Sequence, residues 1–397
     1  MTTPPVNDWT TDYDILDPEY VANPYPVWDD LREQCPFARS ERWGGSWMPT
    51  RYADVFAVAH DIEHFSSRDV GVLTIPPGDT KPQIDIPVPP IDADQPDHTW
   101  TRRLLLPWFS HTKVAEYEPM TRALCSSLID GFIETGRADG AADYAQQIPV
   151  RVIAHVLGVP GELADTFTGW VRDVLEFAHD PVRSTRGQDG ITTFLVEQME
   201  ARRTDPRDDL ISALLQAEND GEPVPDLTIL GMAALTLLAG VDTTWSSIGA
   251  SLWHLAAHPE DTKRLVEDPE IMPMAIEELL RAYSPVTMAR VAKEDTEVLG
   301  CPVKAGDKVL LNFAAANRDP AMFERPDEVI LDRESNRHMA FGSGIHRCAG
   351  SNLARMELRV AIEEWLRRIP EFHLEPGAEV TWAGGQVRGP RQLPVVF

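Results

Sequence analysis

The stretch "FGSGIHRCAGSNLARMELRVAIEEWL", residues 341–366, decides the fold of this chain. It surrounds a single cysteine, Cys348, with glycines and continues at once into a pattern typical of a long amphipathic helix. Gly342 and Gly344 permit backbone torsions that other residues avoid, so the chain can approach a flat group closely. Amides at the start of the following helix favour the thiolate form of the sulfur, which is the form that binds metal. This setting indicates a thiolate ligand for haem iron.

Composition and charge exclude several classes of protein. The 397 residues are 43% hydrophobic and 25% charged, as in ordinary globular proteins, and the length permits several domains or one large domain. A net charge of −27 argues against non-specific binding to nucleic acid or to an anionic membrane. The four cysteines are far apart and form no CxxC pair, which argues against a disulfide framework or a zinc site. The N-terminal segment contains no apolar run, so we expect no signal peptide and a cytoplasmic location.

Hydrophobic spacing predicts a mainly α fold with small β-sheet regions. Apolar residues recur at helical intervals in several long segments after residue 98, whereas the strand-like runs are short. Those runs lie at 46–50, 295–314 and 393–397. A proline-rich stretch at 75–98 can form neither a regular helix nor a central strand, so we expect a long loop packed over something apolar.

The segment at 226–259 predicts one long helix that is apolar all round, with Asp226 at its N-cap. Between residues 227 and 253 its only charged residue is Asp242. The apolar run before Asp242 is too short to cross a bilayer, so we expect a core helix. An unpaired buried carboxylate would be costly there. The neighbouring helix-weakening residues predict a local widening of the helix, and they are Gly240, Thr243 and Thr244.

The cysteine segment resembles the haem-binding signature of cytochrome P450 monooxygenases, F-G-x-G-x-H-x-C-x-G. The matching residues are Phe341, Gly342, Gly344, His346, Cys348 and Gly350. Three further elements occur in the family's order. "AGVDTT" at 239–244 resembles the oxygen-activating segment of the central helix, and "EELLR" carries an E-x-x-R pair. "HTWTR" carries an H-x-x-x-R pair like that of soluble bacterial members. Together they imply a single haem domain over 1–397, with the long central helix over the haem.

The E-x-x-R pair, Glu278 and Arg281, would alone be read as a surface pair on a helix. The resemblance implies instead a buried structural pair. The family often adds an arginine from a downstream segment, but this chain has Glu328 at that position. Arg333 and Asn336 are the candidates to replace it.

The resemblance implies haem b as cofactor, with Cys348 as the axial ligand of the iron. The two haem propionates are negative charges that need partners when they are not fully solvated. The predicted partners are His98, Arg102, Arg290 and His346. Phe341 and Gly350 complete the predicted cofactor-binding residues.

The resemblance also implies O2 as co-substrate. Thr243, with ordered water, is expected to position protons at the bound dioxygen, Asp242 to relay them from solvent, and Gly240 to leave room for the dioxygen. The substrate pocket is expected between the central helix, the segment after the E-x-x-R pair and part of 72–88. Its predicted lining residues are Leu235, Leu238, Ala239, Val286 and Met288. These are apolar, so a small hydrophobic substrate follows.

The sequence up to residue 397 shows no flavin or iron–sulfur domain, so electrons are expected from a separate ferredoxin and ferredoxin reductase. NAD(P)H, FAD and an iron–sulfur cluster would then act only through those partner proteins. A local basic group around the cysteine helix would suit an acidic ferredoxin, and its members are Arg347, Arg355 and Arg359, with Arg102 or Arg103 nearby. We expect a monomer.

Two alternatives remain open at this point. A haem-thiolate peroxygenase would use peroxide without an electron donor, but such enzymes usually lack the acid and alcohol that Asp242 and Thr243 supply. A non-catalytic haem sensor would be expected to carry an output domain or a DNA-binding segment, and neither is visible in the sequence.

Overall fold

The computed structural model of the chain describes residues 4–74 and 86–397. The α-helices in this part of the chain are α1 (Trp9–Asp12), α2 (Pro18–Ala22), α3 (Tyr25–Gln34), α4 (Tyr52–His60), α5 (Asp97–Leu105), α6 (His111–Asp130), α7 (Gln147–Leu157), α8 (Ala164–Leu175), α9 (Pro181–Thr204), α10 (Leu210–Leu215), α11 (Asp226–Ala257), α12 (Pro259–Glu267), α13 (Met272–Ala282), α14 (Phe313–Ala316) and α15 (Ser351–Arg368).

The strands are short. They are β1 (Phe37–Ser40), β2 (Ser46–Pro49), β3 (Phe65–Ser66), β4 (Arg137–Asp139), β5 (Glu218–Asn219), β6 (Glu222–Pro223), β7 (Thr287–Ala292), β8 (Thr296–Val298), β9 (Cys301–Val303), β10 (Lys308–Asn312), β11 (His373–Leu374), β12 (Thr381–Ala383), β13 (Gly389–Gln392) and β14 (Pro394–Val396). The largest sheet has the order β1-β2-β10-β7-β3, and β11-β14-β4 form a second sheet. The prediction of a mainly α fold with small sheets, including all three strand-like runs, is confirmed.

The core of the molecule is built around α11. Because α11 is apolar all round, it can be buried on every side, and it packs against α7, α8, α9, α15 and β13. By length and composition it could cross a membrane, but 61% of its most apolar window is buried inside the protein, as expected of a core helix. The main hydrophobic cluster joins it to α6, α7 and α15, and two smaller clusters lie under the largest sheet.

Two details of α11 differ from the sequence prediction. The helix begins at Asp226 itself and Pro225 occupies the N-cap, so the capping assignment is wrong by one residue. The helix is also continuous α-helix through residues 239–244, so the predicted widening is wrong. Thr243 Oγ1 donates to the carbonyl of Ala239 at 2.8 Å, which lets a threonine sit within a regular helix.

The described part of the proline-rich loop, residues 86–96, lies on the core. Ile86 and Val88 pack against the main hydrophobic cluster. A Cβ atom added to Gly231 of α11 would come within 1.8 Å of the Pro87 carbonyl oxygen, so the loop backbone lies directly on the helix. The prediction that the loop covers apolar surface is therefore confirmed for this part, and residues 75–85 lie outside the described residues.

Candidate active site

The cysteine loop has the backbone geometry that its glycines predict. Gly342 and Gly344 have φ angles of 70° and 71°, in the left-handed region that favours glycine. A Cβ atom on Gly344 would lie 2.5 Å from the Ala59 carbonyl oxygen at the end of α4, so this glycine also allows close packing. The amide of Cys348 donates to the Phe341 carbonyl at 2.8 Å and closes the loop just before α15 begins.

Cys348 is the exposed cysteine of the four, and Cys125 is the buried one. Burial raises the pKa of the Cys348 thiol, and the amide of Gly350 with the charges of Arg102 and Arg347 offsets this only in part. The predicted lowering of the thiol pKa is therefore wrong for the free thiol, because desolvation of the anion outweighs the donors. The same donors stabilise a thiolate once a metal replaces the proton.

Two arginines near the cysteine have no carboxylate partner among the described residues. Arg290 is 6% exposed, and its guanidinium donates to the carbonyl of Ala289 at 2.8 Å. Burial lowers the pKa of Arg290 to about 10. Arg102 of α5 donates to the carbonyl of Arg347 at 2.5 Å, and burial lowers its pKa as well, while the Cys348 sulfur raises it. A buried cation such as Arg290 normally pairs with an anion, and the half-buried Arg102 also lacks one among the described residues.

Two histidines lie beside these arginines. The rings of His98 and His346 are 4.4 Å apart between centroids, and His346 Nε2 lies 2.9 Å from Ser67 Oγ. Neither ring nitrogen of the buried His98 makes a well-formed hydrogen bond to a described residue, although the backbone of Ile345 is near. Burial lowers the pKa of both rings, that of His346 to about 3, and the nearby Arg290 contributes. The four predicted propionate partners thus lie in one cluster.

This cluster fits the cofactor that the sequence implies. Haem b carries two carboxylates, which would supply the anions that Arg102 and Arg290 lack and an acceptor for His98. Cys348, which is exposed, would supply the iron ligand, and Gly342 and Gly344 before it carry no side chain on the loop. The guanidinium of Arg355 lies over the ring of Phe341, with its Cζ 4.3 Å from the ring centroid. The residues present therefore suit a large, flat, dianionic group.

Asp242 is fully buried and is paired. Its Oδ1 accepts from Arg391 Nη2 at 2.8 Å and from Ser246 Oγ at 3.3 Å, while Oδ2 has no partner among the described residues. Burial raises the pKa of Asp242, and the charge of Arg391 opposes this. The sequence analysis missed Arg391. The only signal for it was the cost of an unpaired carboxylate in an apolar helix, which demands a cation somewhere in the fold.

The predicted pocket residues of α11 share one face. Leu235, Leu238, Ala239 and Thr243 are partly or fully accessible in a stretch of helix that is otherwise mostly buried. Leu235, Ala239 and Thr243 follow one another at intervals of four residues, and Leu238 adjoins Ala239, so the four lie in one stripe along the helix. This stripe is therefore not covered by protein, as a pocket wall requires.

Val286 and Met288 lie at the start of β7. Val286 forms an isolated antiparallel bridge with Val387, and Gln386 Nε2 approaches Met288 Sδ at 3.4 Å. Gln386 was missed by the sequence analysis, because it lies in the turn between β12 and β13, where no motif marks it. It brings a polar amide to an otherwise apolar set of side chains.

Gly240 lies where α11 packs against α7. A Cβ atom there would lie 2.5 Å from Ile153 Cδ1, so the glycine allows α7 to pack closely against α11. Gly240 therefore has a packing role, and the expectation that it leaves room for dioxygen stays a prediction.

Glu278 and Arg281 form a fully buried ion pair with two parallel hydrogen bonds of 2.8 Å each. Arg281 also donates to three backbone carbonyls, those of Asn317, Pro326 and Glu328. Burial raises the pKa of Glu278, but hydrogen bonds and charge, first from Arg281, lower it overall.

Both candidates for the third member of this network contact Glu278. Arg333 Nε donates to Glu278 Oε2 at 2.9 Å, and Asn336 Nδ2 donates to the same oxygen at 3.1 Å. The exposed side chain of Glu328 pairs only with Arg325, so its backbone and not its carboxylate serves the network.

The predicted basic face is largely paired. Arg355 contacts Glu277 through two hydrogen bonds of 2.6 and 2.8 Å. Arg359 contacts Glu118 at 2.6 Å and Glu363 at 3.2 Å. Two of the three arginines are therefore not the free cations that the sequence suggested. Arg347 is exposed and has no ion pair among the described residues.

Comparison with known proteins agrees with this geometry. Residues 161–380 match the family model described as Cytochrome P450. The chain is 34% identical to the mycinamicin IV hydroxylase/epoxidase of Micromonospora griseorubida over 93% of this chain and 94% of that protein. It is 35% identical to the vitamin D(3) 25-hydroxylase of Pseudonocardia autotrophica over 98% and 97%. The solved structure of a cytochrome P450 from Chondromyces apiculatus aligns with a TM-score of 0.88 at 33% identity and 98% coverage of each chain. The chain belongs to the cytochrome P450 family and is a monooxygenase.

Proposed function

We propose that this monooxygenase inserts one oxygen atom of O2 into a small hydrophobic organic molecule, by hydroxylation or oxidative dealkylation. The observation that carries the proposal is the cluster around Cys348, where Arg102 and Arg290 have no carboxylate partner among the described residues. An anionic prosthetic group would complete this cluster, and the accessible stripe of α11 offers an apolar wall to a substrate.

Haem b would be held by the Cys348 thiolate at its iron and by the four cationic or imidazole side chains of the cluster. When bound, it supplies the activation of O2 at an iron to which the thiolate donates electron density. The chain itself neutralises the propionates, excludes water by burial and keeps the thiolate within reach of the Gly350 amide.

Proton delivery would fall to the acid and alcohol on α11. Asp242 would pass protons inward from solvent, and Thr243 would hold the last proton donor at its hydroxyl oxygen. The hydroxyl of Thr243 lies on the accessible stripe and donates its proton to the carbonyl of Ala239. Its oxygen can therefore accept a hydrogen bond from a proton donor in the pocket.

Replacing this hydroxyl tests the assignment. Thr243→Ala is expected to keep O2 consumption while diverting most of the electrons to hydrogen peroxide, because the last proton donor is no longer positioned. Thr244→Ala, on the buried side of the same helix, is the matched control. An unchanged ratio of product to NADH in Thr243→Ala would contradict the role.

The substrate would be a neutral, apolar molecule. The predicted pocket residues Leu235, Leu238, Ala239, Val286 and Met288 carry no charge, and Gln386 offers one amide for orientation. Relatives named for acting on mycinamicin IV, vitamin D(3) and steroids support a hydrophobic organic substrate.

Electrons would come from a separate ferredoxin and its reductase. The enzyme would be a monomer and would act in the cytoplasm. Because Arg355 and Arg359 are paired, the docking charge would fall mainly on Arg347 and the exposed Arg103. Arg103→Glu is expected to slow reduction several-fold at low salt, and the difference should shrink at high salt.

One experiment separates the proposed reaction from its alternatives. The haem-loaded protein is supplied with a hydrophobic substrate and either NADH, ferredoxin and reductase, or peroxide alone. Product formed only with the electron-transfer proteins supports the monooxygenase. Product formed equally well with peroxide alone supports a peroxygenase, and no product with any of a panel of substrates that shift the Soret band supports a sensor.

A further inference from the structure

The C-terminal hairpin, β12 and β13, is fixed against the middle of α11. A Cβ atom on Gly389 would lie 2.3 Å from Ser246 Cβ, and one on Gly249 would lie 2.8 Å from Pro390 Cγ. The two elements therefore touch almost backbone to backbone at Ser246 and again at Gly249. These contacts fix the backbone position of Arg391, the next residue of β13.

Arg391 joins two carboxylates from different parts of the chain. Its Nη2 donates to Asp242 Oδ1 at 2.8 Å, and its Nε donates to Glu176 Oε2 at 2.9 Å. Its Nη1 donates to Ser246 Oγ at 3.1 Å, and its Cζ lies 4.2 Å from the ring centroid of Trp245. The planar guanidinium is thus fixed on several sides, which a lysine could not reproduce.

Glu176 belongs to the α8–α9 hairpin, residues 164–204, and follows α8 directly. It accepts two hydrogen bonds of 2.9 Å from Arg172 of α8. The hairpin is tightly joined, because Asp173 accepts from Arg183 and Arg186 of α9 at 2.9 and 2.6 Å. Glu176 should therefore move only with the hairpin as a whole.

Exposure rises stepwise along this chain of charges. The side chains of Asp242, Arg391, Glu176 and Arg172 are 0%, 8%, 13% and 36% exposed. Arg391, Glu176 and Arg172 are also the charged groups that act on Asp242 from the elements packed against α11. The network leads from the buried acid to the protein surface.

We propose that Arg391 is a positioning residue that sets the proton affinity of Asp242, and that Glu176 tunes it by competing for the same guanidinium. This inference rests on the proposed role of Asp242 in proton delivery. When Glu176 engages Arg391, the guanidinium divides its charge between two carboxylates, so Asp242 takes up a proton more readily. Without the Glu176 carboxylate, Arg391 would act on Asp242 alone and hold it as the anion.

Removing the cation and removing the competing anion should shift the pH midpoint for protonation of Asp242 in opposite directions. Arg391→Met removes the cation, so the pH at which Asp242 is half protonated should rise by about one unit or more, a tenfold change in proton affinity. Glu176→Gln removes the competitor, so the midpoint should fall. Arg388→Met is the matched control, because Arg388 lies at the same hairpin but donates to the carbonyls of Val21 and Ala22.

The midpoint is measured by infrared spectroscopy on the full-length, haem-loaded protein. The carbonyl stretch of a protonated carboxyl is followed against pH and assigned by its loss in Asp242→Asn. Opposite shifts in the two variants with no shift in the control support the proposal, and shifts in the same direction or none overturn it. If Arg391→Met does not fold, Arg391→Lys keeps the charge but lacks the planar fork that joins both carboxylates. It should couple Asp242 and Glu176 less, so that adding Glu176→Gln has a smaller effect than in the wild type.

Product yield per NADH separates this inference from the proposed function. If the infrared midpoints move as expected while Asp242→Asn keeps full yield, Asp242 has no part in proton delivery but the control by Arg391 stands. If Asp242→Asn loses yield while the midpoints do not move, proton delivery stands and the control by Arg391 is overturned.

Discussion

Arg281 and Arg290 are two buried arginines close together in the chain, yet their surroundings are opposite. Arg281 makes two hydrogen bonds to Glu278 and three to backbone carbonyls, so its guanidinium is fully engaged. Arg290 donates to one backbone carbonyl and has no carboxylate within ion-pair distance among the described residues. Burial is similar in the two cases, so the difference lies in the partners.

This difference separates a structural charge from a binding charge. A buried ion pair whose hydrogen bonds are all made holds its elements in one arrangement, here α13 against the segment at 317–336. A buried cation without an anion costs free energy that the rest of the fold must offset. Such a cost is recovered when an anionic group binds, which is why unpaired buried cations indicate a ligand site.

The largest expected effect is the loss of the structural arginine. Arg281→Met leaves Glu278 buried with only Arg333 as cation, so the free energy of unfolding should fall by about 3 to 5 kcal/mol. Urea denaturation of the haem-loaded protein, followed by circular dichroism, measures this loss. A decrease below about 1 kcal/mol would show that the buried pair does not hold this region together.

The binding arginine should behave in the opposite way. Arg290→Leu is expected to leave the unfolding of the haem-free protein unchanged or to stabilise it, because an unpaired buried charge is removed. Loss of haem to an excess of apomyoglobin should become about tenfold faster, since one propionate partner is missing. The exposed Arg103→Leu serves as control. Equal haem loss in wild type and Arg290→Leu would remove Arg290 from the cofactor site.

The sequence predicted what is encoded locally. The glycine torsions beside Cys348, the helical spacing of Glu278 and Arg281 and the accessible stripe of α11 each depend on residues a few positions apart. The helix content and the short strands follow from the same kind of local pattern.

Partners brought together by the fold were not predictable. Arg391 lies 149 residues from Asp242, and no local pattern links them. Gly240 meets Ile153 of another helix, so its packing role appears only in three dimensions. The pairing of Arg355 with Glu277 likewise joins α15 to α13, and a basic group in sequence becomes a neutral group in the fold.

The Arg355–Glu277 pair extends the comparison of Arg281 with Arg290 to a partly exposed ion pair. Its contribution to stability should depend on pH. Burial raises the pKa of Glu277, but hydrogen bonds from Arg355 and His338 lower it to about 2. A carboxylate whose pKa falls on folding stabilises the fold above its ordinary pKa, and this contribution is lost as the pH falls from about 4.5 to about 2. Because both side chains are 30% exposed, we expect about 1 to 2 kcal/mol after screening by solvent.

Glu277→Gln is the corresponding variant. It should be less stable than the wild type by this amount at pH 6, and the two denaturation curves should approach each other toward pH 3. His338→Gln, measured alongside, separates the part of the effect that comes from the histidine. A difference that stays constant with pH would mean that the charge of Glu277 contributes nothing to stability.

The smallest effect is expected at Glu328, where the family's arginine is replaced. Its side chain is 59% exposed and pairs only with Arg325, which is itself 55% exposed, so solvent screens the pair almost completely. Glu328→Ala should change the free energy of unfolding by less than about 0.5 kcal/mol, because Arg281 uses the backbone carbonyl of this residue and that carbonyl remains. Arg333→Ala, which removes the guanidinium that contacts Glu278, should cost several times more under the same conditions. Equal losses in the two variants would place the third charge of the network at position 328 and not at Arg333.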